Sequence, residues 1–179
     1  LVVAFSSLML LNPLLFPPLL NNIYLRLYPR GEHTKTIRVG EREALLHYKP
    51  RPGPATERPL VLSFHALAST AAIQEDISGF SSLSDVHDFV VIYPEGAAPA
   101  TRFGPHGHSW NAGGCCPSGS RDSTPDVQFV RDLIDYMLSS SSPVPIDSTR
   151  IFASGLSNGA FMAHRVGCEV ESVSAVGVV

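Results

Sequence analysis

Charge is sparse in this chain. Asp, Glu, Lys and Arg make up 16% of its 179 residues, and acids outnumber bases by 16 to 13. No basic surplus exists to displace counterions from phosphates, which argues against nucleic acid as a partner. Cysteine is scarce as well, at three residues, so this is not a disulfide-dense mini-protein. Glycine follows no three-residue period, which excludes a collagen-like chain. Hydrophobic residues reach 44%, too many for a disordered tail. A long unbroken apolar run is also missing. Residues 1–20 carry no charge, but Asn12, Pro13, Pro17 and Pro18 interrupt them, and proline inside a helix removes a hydrogen bond and clashes with the preceding turn. We read residues 1–28 as a hydrophobic leader, a secretory signal whose charged start is missing. A membrane anchor is the second reading, since about 20 apolar residues span a bilayer, and a leader foreign to the protein is the third. Export implies no stable membrane span after processing.

The length suits one domain with a single core, placed at 29–179. The first residue is Leu, and Ser174–Val179 reads as a strand with nothing after it. The domain is therefore expected to be truncated at its C-terminal end.

The cysteines are Cys115, Cys116 and Cys168. Their spacing lacks the pattern of a zinc site. Adjacent cysteines rarely bond to each other. On spacing alone, one of the pair reaches Cys168 and the odd cysteine is left over or finds a partner outside the given residues, or all three are buried free thiols.

Along the chain, Thr34–Val39 alternates with the two-residue period of a half-buried strand, and Glu43–Lys49 answers it across Gly40-Glu41 as a hairpin. Pro59–Phe64 and Phe89–Tyr93 are short continuous apolar runs, as in strands buried on both faces of a parallel sheet. Residues 71–87 read as one helix. Residues 95–124 read as a long loop, a length that in a compact domain usually carries function. Residues 126–138 resume a helix with Val127, Val130, Ile134, Met137 and Leu138 on one face. Arg150–Ser154 is a fourth core strand, followed by a helix from Asn158 to Cys168 and a final strand at 173–179. Strands alternating with helices predict an α/β fold: a mostly parallel central sheet with helices on both faces and an N-terminal hairpin on its edge.

The sharpest motif is Gly155-Leu156-Ser157-Asn158-Gly159, a G-x-S-x-G between a buried strand and an amphipathic helix. Such a turn strains the serine backbone and pushes its hydroxyl out at the top of the sheet. The glycines are needed because side chains there would collide with the neighbouring strand and helix. Ser157 is therefore the candidate nucleophile, set against an ordinary helix N-cap serine. An acyl-transfer serine needs donors for the oxyanion of its tetrahedral intermediate. The Asn158 N–H is one, and the N–H of Leu67 or Ala66, in the loop after strand 59–64, is the other. His65 reads as a packed histidine that orients this loop rather than as a base. In this arrangement the acid and then the histidine follow the serine along the chain. Only 22 residues follow Ser157. Among them Glu169 and Glu171 stand close to the nucleophile's helix, and His164 lies inside it. The acid and histidine are therefore expected beyond residue 179.

Several segments occur in a fixed order: Arg58–His65, Ser78–Leu83, Val90–Gly96, Trp110–Cys116, Asp126–Val130 and Gly155–His164. Together they resemble the secreted serine esterases that include polyhydroxybutyrate depolymerases, feruloyl esterases and acetylxylan esterases. The resemblance covers roughly residues 30–179. It implies an incomplete α/β-hydrolase fold, ester hydrolysis through an acyl-enzyme on Ser157, small or polymeric ester substrates, an extracellular location, and no metal or organic cofactor. It further implies that Trp110 stacks on an aromatic or sugar group, with loop packing as the alternative, and that His65 lies with it on the substrate-binding side. The cysteine pattern implies a disulfide from Cys168 to Cys116 or Cys115. The chain departs from the family in having His65-Ala66 where His-Gly is usual, and Ala68-Ser69 where Gly or Cys is common. A positive φ at Ala66 would cost on the order of 1 kcal/mol. That departure and the expected truncation motivate the alternative, a catalytically inactive hydrolase-fold binding protein or a non-functional fragment.

Overall fold

A computed structural model describes residues 32–97, 107–115 and 124–179. The leader 1–28 lies outside the described residues. The chain forms β1 (Thr34–Val39), β2 (Arg42–His47), β3 (Arg58–Phe64), α1 (Ala71–Ser78), α2 (Phe80–His87), β4 (Val90–Pro94), α3 (Asp126–Leu138), β5 (Ile146–Gly155), α4 (Asn158–Glu169) and β6 (Ala175–Val178). The six strands make one sheet in the order β1-β2-β4-β3-β5-β6. The β1–β2 hairpin joins β4 antiparallel, while β4, β3, β5 and β6 run parallel. This is the mixed sheet, with its hairpin on one edge, that the hydrophobic pattern implies.

The continuous apolar runs follow from a sheet covered on both faces. In β4 every residue is buried. Val90 and Ile92 join the large core under α3 and α4, while Val91 and Tyr93 join a smaller core with Leu45 and Ala71 on the opposite face. Alternate side chains of a strand point to opposite faces, so no position in β4 is left for a polar residue.

Two element readings are corrected. Residues 71–87 form two helices, because Gly79 adopts φ 67 and ends α1 in the left-handed conformation. Glycine accepts that conformation without the Cβ penalty, so the helix stops where the chain can turn. Leu138 does not join the buried stripe of α3 and is 41% exposed, because it is the last helical residue, where the chain turns away from the sheet. Among the described residues no helix is long and apolar enough to cross a membrane.

The strand order positions the site. From β3 the chain crosses to β4 on one side, and β5 lies on the other side of β3. The loops leaving β3 and β5 thus part at neighbouring C-terminal strand ends, with Phe64 opposite Gly155. A switch point of this kind opens a crevice above the sheet.

Candidate active site

The turn after β5 is held by close backbone packing. A Cβ on Gly155 would stand 2.4 Å from the Gly159 carbonyl oxygen, and a Cβ on Gly159 would stand 2.1 Å from that of Phe64. Neither contact is possible for a real side chain, so both motif glycines are required to bring α4 against β3. The Leu156 N–H donates to the Phe64 carbonyl at 3.2 Å, and the Ser157 N–H donates to that of Val179 at 3.1 Å. Between these ties Ser157 takes φ 54 and ψ −117. A non-glycine residue there costs on the order of 1–3 kcal/mol and persists only where its surroundings impose it.

Ser157 occupies the N-cap position of α4, yet its side chain makes no capping bond. The residue is exposed, and its hydroxyl has no hydrogen-bond partner among the described residues. It therefore does not serve as an N-cap acceptor. The helix start adds partly positive N–H groups beside it. Asn158 is fully buried, and among the described residues no acceptor takes the amide N–H of Asn158, Ala66 or Leu67.

The loop after β3 turns at Ala66–Ser69, where the Ser69 N–H donates to the Ala66 carbonyl at 3.2 Å. The left-handed residue is Ala68, at φ 57. Ala66 is not left-handed, so the strain expected there falls two residues later, at the third position of the turn, where type II and type I′ turns require a positive φ. The segment 107–109 lies over this turn. The His108 N–H donates to the Ser69 carbonyl at 3.0 Å, and a Cβ on Gly107 would stand 2.5 Å from the Ala68 Cα.

His65 is fully buried. The Gly96 N–H donates to its Nε2 at 3.0 Å, so that nitrogen carries no proton, and Nδ1 donates to the Ala66 carbonyl at 2.8 Å. Both ring nitrogens are occupied. His65 orients the loop, as its sequence setting implies, and neither binds substrate nor acts as a base. The Glu95 carboxylate, 3.3 Å from Nε2, instead accepts the Ala71 N–H with both oxygens at 3.2 Å and caps α1.

Trp110 is 2% exposed and offers no ring face to a substrate, so the stacking role is corrected to packing. Its ring meets Phe64 edge-on at 5.2 Å and lies 4.9 Å from the His65 ring.

The disulfide expectation is also corrected. Cys115 is disulfide-bonded, but Cys168 is a free, exposed thiol. The cause is distance along α4. Cys115 Sγ sits 3.9 Å from Asn158 Nδ2 at the start of the helix. Cys168 lies ten residues further on, roughly 15 Å of helical rise away. Cys116 lies outside the described residues.

Sequence reading missed the side-chain work of Asn158, Asp126 and Arg42. Trp110 donates its backbone N–H to Asn158 Oδ1 at 2.9 Å, and Asn158 Nδ2 donates to the Trp110 carbonyl at 3.3 Å. The Trp110 indole N–H donates to the His65 carbonyl at 2.9 Å. The buried Asp126 accepts the Asn111 N–H at 2.6 Å and an Arg42 N–H at 2.5 Å. The available signal was polar residues, Asn158 and Asp126, at the first positions of two amphipathic helices.

No protein-family model matches the chain. It is 31% identical over 117 residues to Feruloyl esterase B of Piromyces equi, covering 65% of this chain and 19% of that protein. It is likewise 31% identical over 115 residues to Poly(3-hydroxyalkanoate) depolymerase C of Paucimonas lemoignei, covering 62% of this chain and 24% of that one. The chain thus spans a quarter or less of the length of these two relatives. In structure it is similar to an acetyl xylan esterase from Aspergillus awamori, with a TM-score of 0.59 at 18% identity over 81% of this chain and 50% of the other.

Proposed function

This chain has the α/β-hydrolase fold and is similar in sequence to ester hydrolases, and from that premise we propose that it acts as a secreted serine hydrolase of carboxylic esters. The observation that carries the reading is Ser157: exposed, held at φ 54 and ψ −117 in a G-x-S-x-G turn, and with its hydroxyl uncommitted to the helix it precedes. A strained serine at the C-terminal edge of a parallel sheet is the geometry of a nucleophile aimed at a carbonyl from above.

In the proposed reaction the Ser157 oxygen bonds to the ester carbonyl carbon while a histidine base takes its proton. The oxyanion of the tetrahedral intermediate accepts from the Asn158 N–H and from the N–H of Leu67 or Ala66. Collapse of the intermediate breaks the bond to the alcohol oxygen, which leaves with the proton from the histidine. Water then adds to the acyl-enzyme by the same route and releases the acid and Ser157. The substrates proposed are acyl groups on plant polysaccharide or the ester links of hydroxyalkanoate polymers, by similarity to the relatives' substrates.

The test uses the full-length protein. It should hydrolyse short-chain nitrophenyl esters, and a fluorophosphonate probe should label Ser157. Ser157→Ala should abolish both while retaining the fold. Absence of hydrolysis together with an unlabelled Ser157 in the wild type would replace this reading with the inactive binding protein.

A further inference from the structure

The two proposed sources of oxyanion donors belong to different strands. The Asn158 amide opens the helix after β5, and the 65–68 turn follows β3. The G-x-S-x-G motif fixes only the first of these. Ala68, at φ 57, gives the second a strained residue of its own, so the turn needs an outside restraint to keep its amides aimed.

Trp110 meets both. Its backbone N–H and carbonyl are gripped by the two ends of the Asn158 amide side chain, at 2.9 and 3.3 Å. Its indole N–H grips the His65 carbonyl, at 2.9 Å, at the root of the turn. Trp110, Asn158 and His65 are 2%, 0% and 0% exposed, so water does not compete for these bonds. The staple is itself anchored. The next amide, Asn111 N–H, donates to Asp126. Arg42 joins Asp126 to the Glu95 carbonyl, which accepts at 2.8 Å, while its guanidinium lies 4.0 Å from the Phe129 ring centre.

We propose that Trp110 is a positioning residue of the oxyanion hole: it staples the Asn158 side chain to the His65 carbonyl and so fixes the spacing between the two donor segments. The inference rests on the reading of Ser157 as an acyl-transfer nucleophile. Stabilisation of an oxyanion depends on donors aimed before charge develops. A displacement of about 1 Å originating away from the chemistry costs up to about a hundredfold in rate.

Trp110→Phe separates positioning from packing, because it keeps a ring against Phe64 and His65 and removes the indole N–H. Asn158→Ser opens the staple from its other end and leaves the backbone N–H of residue 158 in place. In the full-length protein, sites are counted by fluorophosphonate titration, so that any unfolded fraction drops out. The kcat per titrated site and the KM for a nitrophenyl ester are then measured, with the affinity for an alkyl boronic acid that forms a tetrahedral adduct. The expected result is a fall in kcat of about 10- to 100-fold with KM within about threefold, and boronate affinity falling in step with kcat/KM. A kcat per site within about threefold of wild type, in whichever variant folds, overturns the inference, as does a rise in KM alone. A wild-type protein that is neither labelled at Ser157 nor active overturns the hydrolase reading itself, and this inference with it.

Discussion

Helix α4 begins against β3 only because Gly159 has no side chain: a methyl group there would stand 2.1 Å from the carbonyl oxygen of Phe64 and 2.6 Å from that of His65. Both obstacles are backbone atoms, which no rotamer change can move. Gly159→Ala must therefore push the helix away from the strand and release the strained turn before it. The expected cost is about 3 kcal/mol, the upper range for overpacking a tight site. Urea unfolding checks it. A midpoint equal to wild type would mean that α4 shifts freely and that the turn is not clamped.

A second prediction concerns alkaline stability. Tyr93 is fully buried between α1, α2 and the sheet. Ser81 Oγ donates its proton to Glu75 at 2.8 Å, so the Tyr93 hydroxyl is the donor in its 3.0 Å contact with Ser81. Burial pushes the phenol from 10.0 up to about 12, against the smaller lowering effect of the Ser81 hydrogen bond. The folded protein thus keeps a proton that the unfolded chain gives up near pH 10. The stabilisation is complete below about pH 10 and is lost as pH rises toward about 12, with a total of about 2–3 kcal/mol. Denaturant unfolding at about pH 9 and about pH 12 should show wild type losing that much more stability than Tyr93→Phe. Equal losses in the two proteins would show that Tyr93 ionises at its ordinary pH in the folded state.

The order of strands and helices was readable because each element carries its own period and its own stop. The buried runs at 59–64 and 89–93 match β3 and β4 within a residue, since a strand covered on both faces has no room for polar positions. Gly79 was in plain view, yet the apolar pattern runs straight across it, and only backbone geometry shows the helix ending there. The turn around Ser157 was legible for a similar reason, because two glycines around a serine after a buried strand leave few conformations. Burial of Trp110 was not legible. A lone tryptophan in a Gly-rich loop looks the same whether it faces solvent or core. What decides is Asn158, 48 positions away, closing on its backbone. The Cys168 pairing failed likewise. Spacing says nothing about which end of α4 the loop meets, and Cys115 meets its start.

The third prediction concerns Ala68. At φ 57 it occupies the third position of the Ala66–Ser69 turn in a conformation that costs an alanine about 1–2 kcal/mol. Glycine adopts the same conformation without steric penalty, but it gains freedom in the unfolded chain worth about 0.5–1 kcal/mol. The difference favours the folded state, so Ala68→Gly should raise stability by about 0.5–1 kcal/mol. Neighbouring packing does not reverse the sign. Gly107 lies against the main chain of Ala68, its missing Cβ facing the Cα, carbonyl carbon and carbonyl oxygen of residue 68, and the substitution changes none of these atoms. Differential scanning calorimetry of the wild type and the variant measures the shift. An unchanged or lower Tm would mean that the turn relaxes around alanine at no cost, and the strain assigned to residue 68 would then have to be withdrawn.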